Sequence, residues 1–286
     1  MAVSSTPAPR IRPRRRYTLA AVLTATAFAT TVPATSARAA VPEGGGVDAK
    51  PTVVLIHGAW ADASSWSGEV RILSSQGYTV RAIANPLENL TTDAETVADF
   101  VKSIAGPVVL VGHSYGGSVI TNAAAQTDNV KALVYVDAAA PAVGETTGSL
   151  SGATSALNAP ANTLFDSVPY ANAPEGVTNL YLKKDIFLKK FAQDLPVQQA
   201  ADLWASQRAA SMAVFDTPSA YAAWKTIPSW YFISTGDQII TPESELMMAR
   251  RAGSKITTFK GGSHLTLISH PAAVAKVIDA AIDAVS

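Results

Sequence analysis

The sequence contains no cysteine among its 286 residues. This absence excludes disulfide bonds, catalysis by a thiolate and metal sites built from cysteine. Histidine is also scarce, with four residues, and charged side chains make up only 15% of the chain. The fold must therefore rely on an apolar core, and a hydrophobic content of 48% over this length is sufficient for one.

Sequence motifs for metals, nucleotides and nucleic acids are also missing. There is no H-x-x-x-H pair, and the glycines from Gly112 to Gly117 do not match G-x-G-x-x-G. Residues 1–39 contain six of the 22 basic residues and none of the 22 acidic ones, which leaves 16 basic residues in the mildly acidic remainder. Phosphate binding needs concentrated lysine and arginine. We therefore expect no metal, no cofactor and no nucleic-acid partner.

Residues 1–39 have the pattern of a signal peptide. A basic segment from Arg10 to Arg16 precedes an apolar, alanine-rich stretch from Tyr17 to Val32, and Ala37-Arg38-Ala39 fits a small-x-small cleavage site. The apolar stretch is short and is followed by Pro33, which argues against a membrane anchor. We expect a secreted protein without stable membrane insertion.

The export route stays open at the level of the sequence. Arg14-Arg15-Arg16-Tyr17 resembles a twin-arginine signal, but Thr18 departs from the usual apolar residue. Residues 40–50, which include three consecutive glycines, are predicted to be a flexible lead-in to the folded domain. The sequence carries no signal for an oligomeric state.

The most informative stretch runs from Val108 to Gly117 and reads VVLVGHSYGG. Its four apolar residues predict a buried parallel strand, and the serine that follows is flanked by Gly112 and Gly116. A G-x-S-x-G pattern between a strand and a helix is a nucleophile elbow, in which a strained turn lifts the serine hydroxyl clear of the sheet. Ser114 is therefore the predicted nucleophile. The alternative, a small residue in a tight turn, is the weaker interpretation.

On both sides of the elbow, apolar strands alternate with amphipathic helices. The predicted strands are 52–56, 79–84, 108–111, 132–136, 229–234 and 255–259, and the predicted helices are 63–76, 92–105, 115–126, 242–252 and 271–285. This alternation predicts an α/β fold with a mostly parallel six-stranded sheet flanked by helices over residues 51–286. Residues 141–227 break the pattern. We interpret them as a helical cap, with helices near 177–192 and 196–211, inserted after the strand that follows the elbow.

Two further residues complete a predicted catalytic triad. A serine hydroxyl needs a neighbouring base, and the base needs an acid that orients it. Asp237 and His264 each follow a predicted strand, so a parallel sheet brings both to the edge that carries Ser114. Asp137, which follows the strand 132–136, is a rival for the acid. His270 is a more distant rival for the base.

Hydrolysis of an ester also needs two N–H donors for the oxyanion. The residue after the nucleophile, Tyr115, supplies one. The loop His57-Gly58-Ala59-Trp60 follows the first strand, and we expect the N–H of Ala59 to supply the other, with Gly58 allowing a close approach. The alternative for this loop is a plain strand-ending turn. The aromatic residues of the cap predict an apolar pocket wall.

These segments resemble the α/β-hydrolase superfamily, and more narrowly the bacterial relatives of the plant methylesterase and hydroxynitrile lyase group. The resemblance rests on residues 54–60, residues 109–117 and Gly261-Gly262-Ser263-His264. It implies cofactor-free chemistry by Ser114, Asp237 and His264. Lyases of the group resemble one another in a threonine and a lysine where this chain has Gly58 and Leu265. A lyase needs a cation near the departing cyanide, so the resemblance favours a hydrolase.

The sequence as a whole therefore predicts a secreted serine hydrolase that cleaves a small carboxylic ester with an apolar portion, through an acyl-enzyme on Ser114. Two alternatives remain. One is another reaction at the same site, by a lyase or by a lactone or amide hydrolase. The other is a binding protein that keeps the fold without catalysis.

Overall fold

The computed structural model of the protein describes residues 50–286. The predicted signal peptide and nearly all of the predicted lead-in lie outside these residues. None of the helices in the described part of the chain combines the length and the apolar character that are needed to cross a bilayer.

The polypeptide alternates between strands and helices on both sides of an inserted segment. The strands are β1 (Thr52–Ile56), β2 (Val80–Ile83), β3 (Val108–Ser114), β4 (Val130–Ala138), β5 (Phe165–Val168), β6 (Asn179–Leu182), β7 (Ala210–Ser211), β8 (Ser229–Ser234) and β9 (Lys255–Phe259). The helices are α1 (Ser67–Ser75), α2 (Leu90–Lys102), α3 (Tyr115–Ala124), α4 (Ala161–Leu164), α5 (Lys184–Ile186), α6 (Val197–Ala205), α7 (Ala213–Asp216), α8 (Pro242–Arg251), α9 (Thr266–Ser269) and α10 (Pro271–Asp283).

Six parallel strands form the main sheet in the order β2-β1-β3-β4-β8-β9. Every residue of β3 is buried, as a central strand covered on both faces requires. Its neighbours β1 and β4 are apolar along most of their length, and these strands form the centre of the hydrophobic core. The predicted six-stranded α/β architecture is therefore confirmed.

The helices start where the sequence supplies caps. Asn89 accepts hydrogen bonds from the backbone N–H groups of Thr91 and Thr92 and so caps α2. Thr241 caps α8 in the same way, with Pro242 at the first helical position. The predicted starts of these helices, at residues 92 and 242, lie within two residues of the observed ones.

The inserted segment lies between the end of β4 and the start of β8. It contains the short helices α4 to α7 and also a three-stranded antiparallel sheet in the order β5-β6-β7. The prediction of a helix over residues 177–192 was wrong at its start, because Asn179–Leu182 is the central strand of this small sheet. The pattern of alternate burial in β6 has the period of a strand, and a four-residue run is too short to reveal it.

Candidate active site

The turn between β3 and α3 holds Ser114 in a strained backbone conformation. Its φ is 56° and its ψ is −126°, in a region that L-residues rarely occupy. A Cβ at Gly112 would lie 2.4 Å from the carbonyl oxygen of Gly116, and a Cβ at Gly116 would lie 2.4 Å from that of Ile56. Only glycine fits at either position. This crowding explains the two glycines of the motif and is the geometry of a nucleophile elbow.

His264 connects Ser114 to Asp237. The Nε2 atom of His264 lies 2.7 Å from Ser114 Oγ, and its Nδ1 atom lies 2.6 Å from Asp237 Oδ2. Because a carboxylate accepts hydrogen bonds, Nδ1 carries the hydrogen and Nε2 is free to accept the serine proton. The structure thus brings together all three residues that the sequence selected, in one line of hydrogen bonds.

The loops after β8 and β9, which carry Asp237 and His264, support this line because they are hydrogen-bonded to each other. Gly236 N–H donates to the carbonyl of Gly261, and a Cβ at Gly236 would lie 2.2 Å from the carbonyl oxygen of Gly262. The second oxygen of Asp237, Oδ1, accepts from the N–H groups of Ile239 and Ile240 at 2.7 and 3.2 Å. The carboxylate therefore has its orientation fixed on both oxygens.

All three side chains are removed from water. His264 is 0% exposed, Asp237 4% and Ser114 6%. Burial lowers the pKa of His264 to about 3, because the cationic imidazolium loses its hydration. The imidazole is therefore neutral at neutral pH, as a base must be. Burial also raises the pKa of Asp237, and its two backbone N–H donors oppose that effect.

Two further carboxyl groups lie beside Asp237. In the described residues, one oxygen from each of Asp137, Asp237 and Glu245 falls within 4.8 Å of the others. Asp137 accepts from the N–H and the hydroxyl of Ser234, at 2.7 and 2.9 Å, and has a positive φ of 44°. It makes no hydrogen bond to His264, and Asp237, the acid that the sequence favoured, holds that position. The sequence suggested no carboxylate cluster, because Asp137 lies 100 positions before Asp237 and no motif indicates that Glu245, a residue of α8, turns toward them.

Oxygen ligands of this kind suit hard cations, but the oxygens of both aspartates already accept hydrogen bonds within the protein. Burial raises the pKa of Glu245, and neither of its oxygens has a hydrogen-bond partner in the described residues. The neighbouring Asp137 and Asp237 raise the pKa of Glu245 further, because three like charges repel one another in a buried site.

The loop after β1 reaches the nucleophile. A Cβ at Gly58 would lie 2.5 Å from the Cβ of Ser114, so the predicted close approach is present and Ala59 follows directly. His57 holds this loop: its Nδ1 donates to the carbonyl of Gly58, and its Nε2 accepts from the N–H of Asn85, each at 2.9 Å. Burial lowers the pKa of His57 to about 4, which keeps it neutral. Sequence reasoning missed the role of Asn85, which lies outside any motif.

Tyr115, the residue after the nucleophile, is fully buried at the N-terminus of α3. Its hydroxyl donates to Asp93 Oδ2 at 2.8 Å, which anchors the start of this helix against α2. The rival base His270 lies away from this site, packs against Phe259 and has its Nδ1 3.9 Å from Asp194.

Trp60 joins this loop to the cap. Its ring lies between Phe165 and Phe215, with centroids 5.5 and 5.2 Å away, and its Nε1 donates to the carbonyl of Leu180 at 3.0 Å. Beyond it lies an open cavity of about 300 Å3 whose lining includes these rings and Met212 of the cap, and which Trp60 separates from the triad residues. This space is large enough for a small apolar group next to the loop that carries Ala59.

Comparisons with known proteins give a consistent result. The sequence model described as the Alpha/beta hydrolase family matches residues 53–277. The alpha/beta hydrolase nvfD of Aspergillus novofumigatus is 28% identical over 250 residues, which are 80% of this chain and 95% of that protein. Esterase PIR7B of Oryza sativa subsp. japonica is 26% identical over 249 residues, 78% of this chain and 92% of the relative.

Among solved structures, an extracellular alpha/beta-hydrolase from a Paenibacillus species has a TM-score of 0.66 and 24% identity, and the match covers 81% of this chain and 98% of that one. That protein is described as sharing structural and functional homology with tobacco salicylic acid binding protein 2. Plant esterases, including a methylesterase, are also among the similar structures. The resemblance predicted from the sequence motifs is therefore confirmed.

Proposed function

The chain belongs to the alpha/beta hydrolase family and is a hydrolase, and we propose that it cleaves carboxylic esters through an acyl-enzyme on Ser114. The observation that carries this proposal is the continuous hydrogen-bonded line from Ser114 Oγ through His264 to Asp237. A serine in this arrangement is activated, because the base that receives its proton is in place and correctly oriented.

In the first half-reaction, Ser114 Oγ attacks the ester carbonyl carbon while His264 Nε2 accepts the hydroxyl proton. The negative charge moves to the carbonyl oxygen, where the N–H groups of Ala59 and Tyr115 stabilise it. The tetrahedral intermediate collapses, the bond to the alcohol oxygen breaks, and the imidazolium returns its proton to that oxygen. Asp237 stabilises the imidazolium throughout.

In the second half-reaction, water takes the place of the alcohol. His264 removes a proton from the water as it attacks the acyl carbon, and Ser114 leaves with that proton. The products are a carboxylic acid and an alcohol. The cavity of about 300 Å3 beyond Trp60 supports a substrate with an apolar portion.

We also propose that the enzyme acts outside the cell after export. The support is the sequence pattern of residues 1–39, a basic segment, an apolar stretch and a small-residue cleavage site. N-terminal sequencing of protein recovered from the culture medium of the native host tests this. A mature N-terminus near Ala40 is expected, and an uncleaved, cell-retained chain would contradict it.

The decisive experiment compares the wild-type enzyme with Ser114→Ala on an aryl acetate and with a fluorophosphonate label. The wild-type protein should turn over the ester and bind one label per chain. The variant should lose both properties while its circular dichroism spectrum is unchanged. An unlabelled wild-type protein would favour a binding protein on the same fold.

The same assay should include a cyanohydrin, a lactone and an anilide. Faster turnover of one of these than of any ester would assign another reaction to the same site. Lyase activity is disfavoured by Leu265, which is buried and apolar where a lyase would need a cation.

A further inference from the structure

His113 takes no part in the mechanism above, although it directly precedes the proposed nucleophile. Its side chain is fully buried, and its Nε2 lies 2.8 Å from the backbone carbonyl oxygen of His264. The two imidazole rings also pack against each other, with centroids 4.8 Å apart. The side chain of His113 therefore contacts the proposed base at two places, the backbone carbonyl and the imidazole ring of His264.

The hydrogen-bond geometry determines which form of His113 is present. A carbonyl oxygen can only accept, so Nε2 of His113 carries a hydrogen. Its Nδ1 is buried and has no hydrogen-bond partner among the described residues. Burial lowers the pKa of His113 well below its ordinary value, and the neighbouring His264 and His57 lower it further. His113 is therefore a neutral Nε2–H imidazole that adds no positive charge beside His264.

The backbone before His264 explains why such a contact matters. Gly261 and Gly262 both have positive φ, of 83° and 74°, so the loop after β9 enters the site through two residues with little conformational restraint. The hydrogen bond from His113 ties the end of this loop to β3, the fully buried central strand. It is a direct connection between the nucleophile segment and the backbone of the base.

We propose that His113 is a positioning residue, whose Nε2–H holds the backbone of His264 so that the imidazole stays in line with Ser114. The proposal rests on the proposed function, since it concerns how the base of that reaction is aligned. It assigns His113 no contact with substrate and no proton transfer.

The test uses two variants of matched length, His113→Gln and His113→Met. The glutamine amide restores an N–H donor near the position of Nε2, whereas methionine fills similar space without a donor. The methionine variant should lose kcat by about 10²-fold, as expected for a misaligned base, with KM nearly unchanged. The glutamine variant should recover most of that loss. His270→Gln, the same substitution at an exposed histidine, is the control and should keep wild-type kcat.

Equal kcat values for the glutamine and methionine variants, measured below the melting temperature of both, would overturn the proposal, as would a methionine variant with wild-type kcat. A second measurement does not depend on a folded variant. Nitrogen NMR of the wild-type side chains should show His113 as the neutral Nε2–H form from pH 5 to 9. The Nδ1–H form, or protonation in this range, would also overturn it.

These outcomes are separable from failure of the proposed function. A wild-type protein that fails to react with a fluorophosphonate would reject the serine hydrolase. The NMR result would then still report whether His113 holds the loop of His264.

Discussion

Asp137 and Asp237 lie side by side at the ends of two neighbouring strands, with carboxylate oxygens within 4.8 Å of one another, yet only Asp237 faces His264. Asp137 is turned toward Ser234, whose N–H and hydroxyl it accepts. Both follow buried strands and both are buried. Their difference in role comes from the direction of the side chain, which no local pattern encodes.

Substitution of the two aspartates should separate these roles. Asp237→Asn should lower kcat by roughly 10³ to 10⁴-fold, because the amide no longer holds the imidazole in the correct tautomer. Asp137→Asn should keep kcat within about tenfold of wild type, because asparagine tolerates the positive φ and the carboxylate lies outside the line of hydrogen bonds. Steady-state kinetics on an aryl acetate measures both. Equal losses of kcat in the two variants would contradict the assignment of Asp237 alone as the acid.

The dependence of kcat/KM on pH should reflect the buried base. Activity needs neutral His264, and burial lowers its pKa from the ordinary 6.5 to about 3. A lowered histidine pKa means that the base stays unprotonated as the pH falls below 6.5. The midpoint of the acid limb of kcat/KM should therefore lie clearly below pH 6.5. The measurement is initial rates from pH 4 to 8 with folding checked at each pH, and a midpoint at or above 6.5 would contradict it.

Gly58→Ala should disturb the nucleophile through simple crowding. The new Cβ would fall 2.5 Å from the Cβ of Ser114, so the loop that carries Ala59 must move away. We expect a loss of kcat of at least tenfold, from oxyanion donors that no longer reach their position. Gly253→Ala is the comparison, because that glycine has φ of 64° and open space around it. Its alanine should cost about 1 kcal/mol of stability without changing kcat.

Stability should depend on pH through Glu69. This side chain in α1 is 0% exposed, neither of its oxygens has a hydrogen-bond partner in the described residues, and burial raises its pKa from 4.5 to about 8. Above pH 4.5 the unfolded chain ionises this carboxyl while the folded protein keeps it protonated. The unfolded state thus binds fewer protons, and the free energy of unfolding falls as the pH rises.

Relative to Glu69→Gln, the wild-type protein should lose about 1.4 kcal/mol per pH unit between pH 4.5 and 8. Denaturant titrations at pH 5 and pH 8 measure the free energy of unfolding of both proteins. The loss in the wild-type protein relative to Glu69→Gln should be small at pH 5 and several kcal/mol at pH 8. Glu243→Gln, a substitution at an exposed position of α8, keeps Glu69 and should therefore keep the pH dependence of the wild-type protein. A parallel pH dependence of the wild-type protein and Glu69→Gln would show that Glu69 titrates normally.

Much of the molecule is encoded in short stretches. Buried strands such as Thr52–Ile56 and Ser229–Ser234 are built on continuous runs of apolar residues, so they could be recognised directly. The elbow could be identified because its two glycines are required by close contacts, one within the turn and one with the neighbouring strand β1. In the cap, short elements depend on packing against the core rather than on their own periodicity, so the sequence pattern predicts a helix where the strand Asn179–Leu182 lies.

The sequence by itself determined which segments form the main sheet and the helices that flank it, the elbow and the triad side chains at the carboxyl edge of that sheet, because these follow from local patterns and from the rules of parallel sheets. Only the tertiary structure decided which aspartate faces His264, that Glu245 adds a third carboxyl group, and that His113 binds the backbone of the base. His113 and His264 are 151 positions apart, and even Asp237 and His264, which are 27 positions apart, lie in separate loops. The free energies of these contacts depend on side-chain direction and burial, which exist only once the chain has folded.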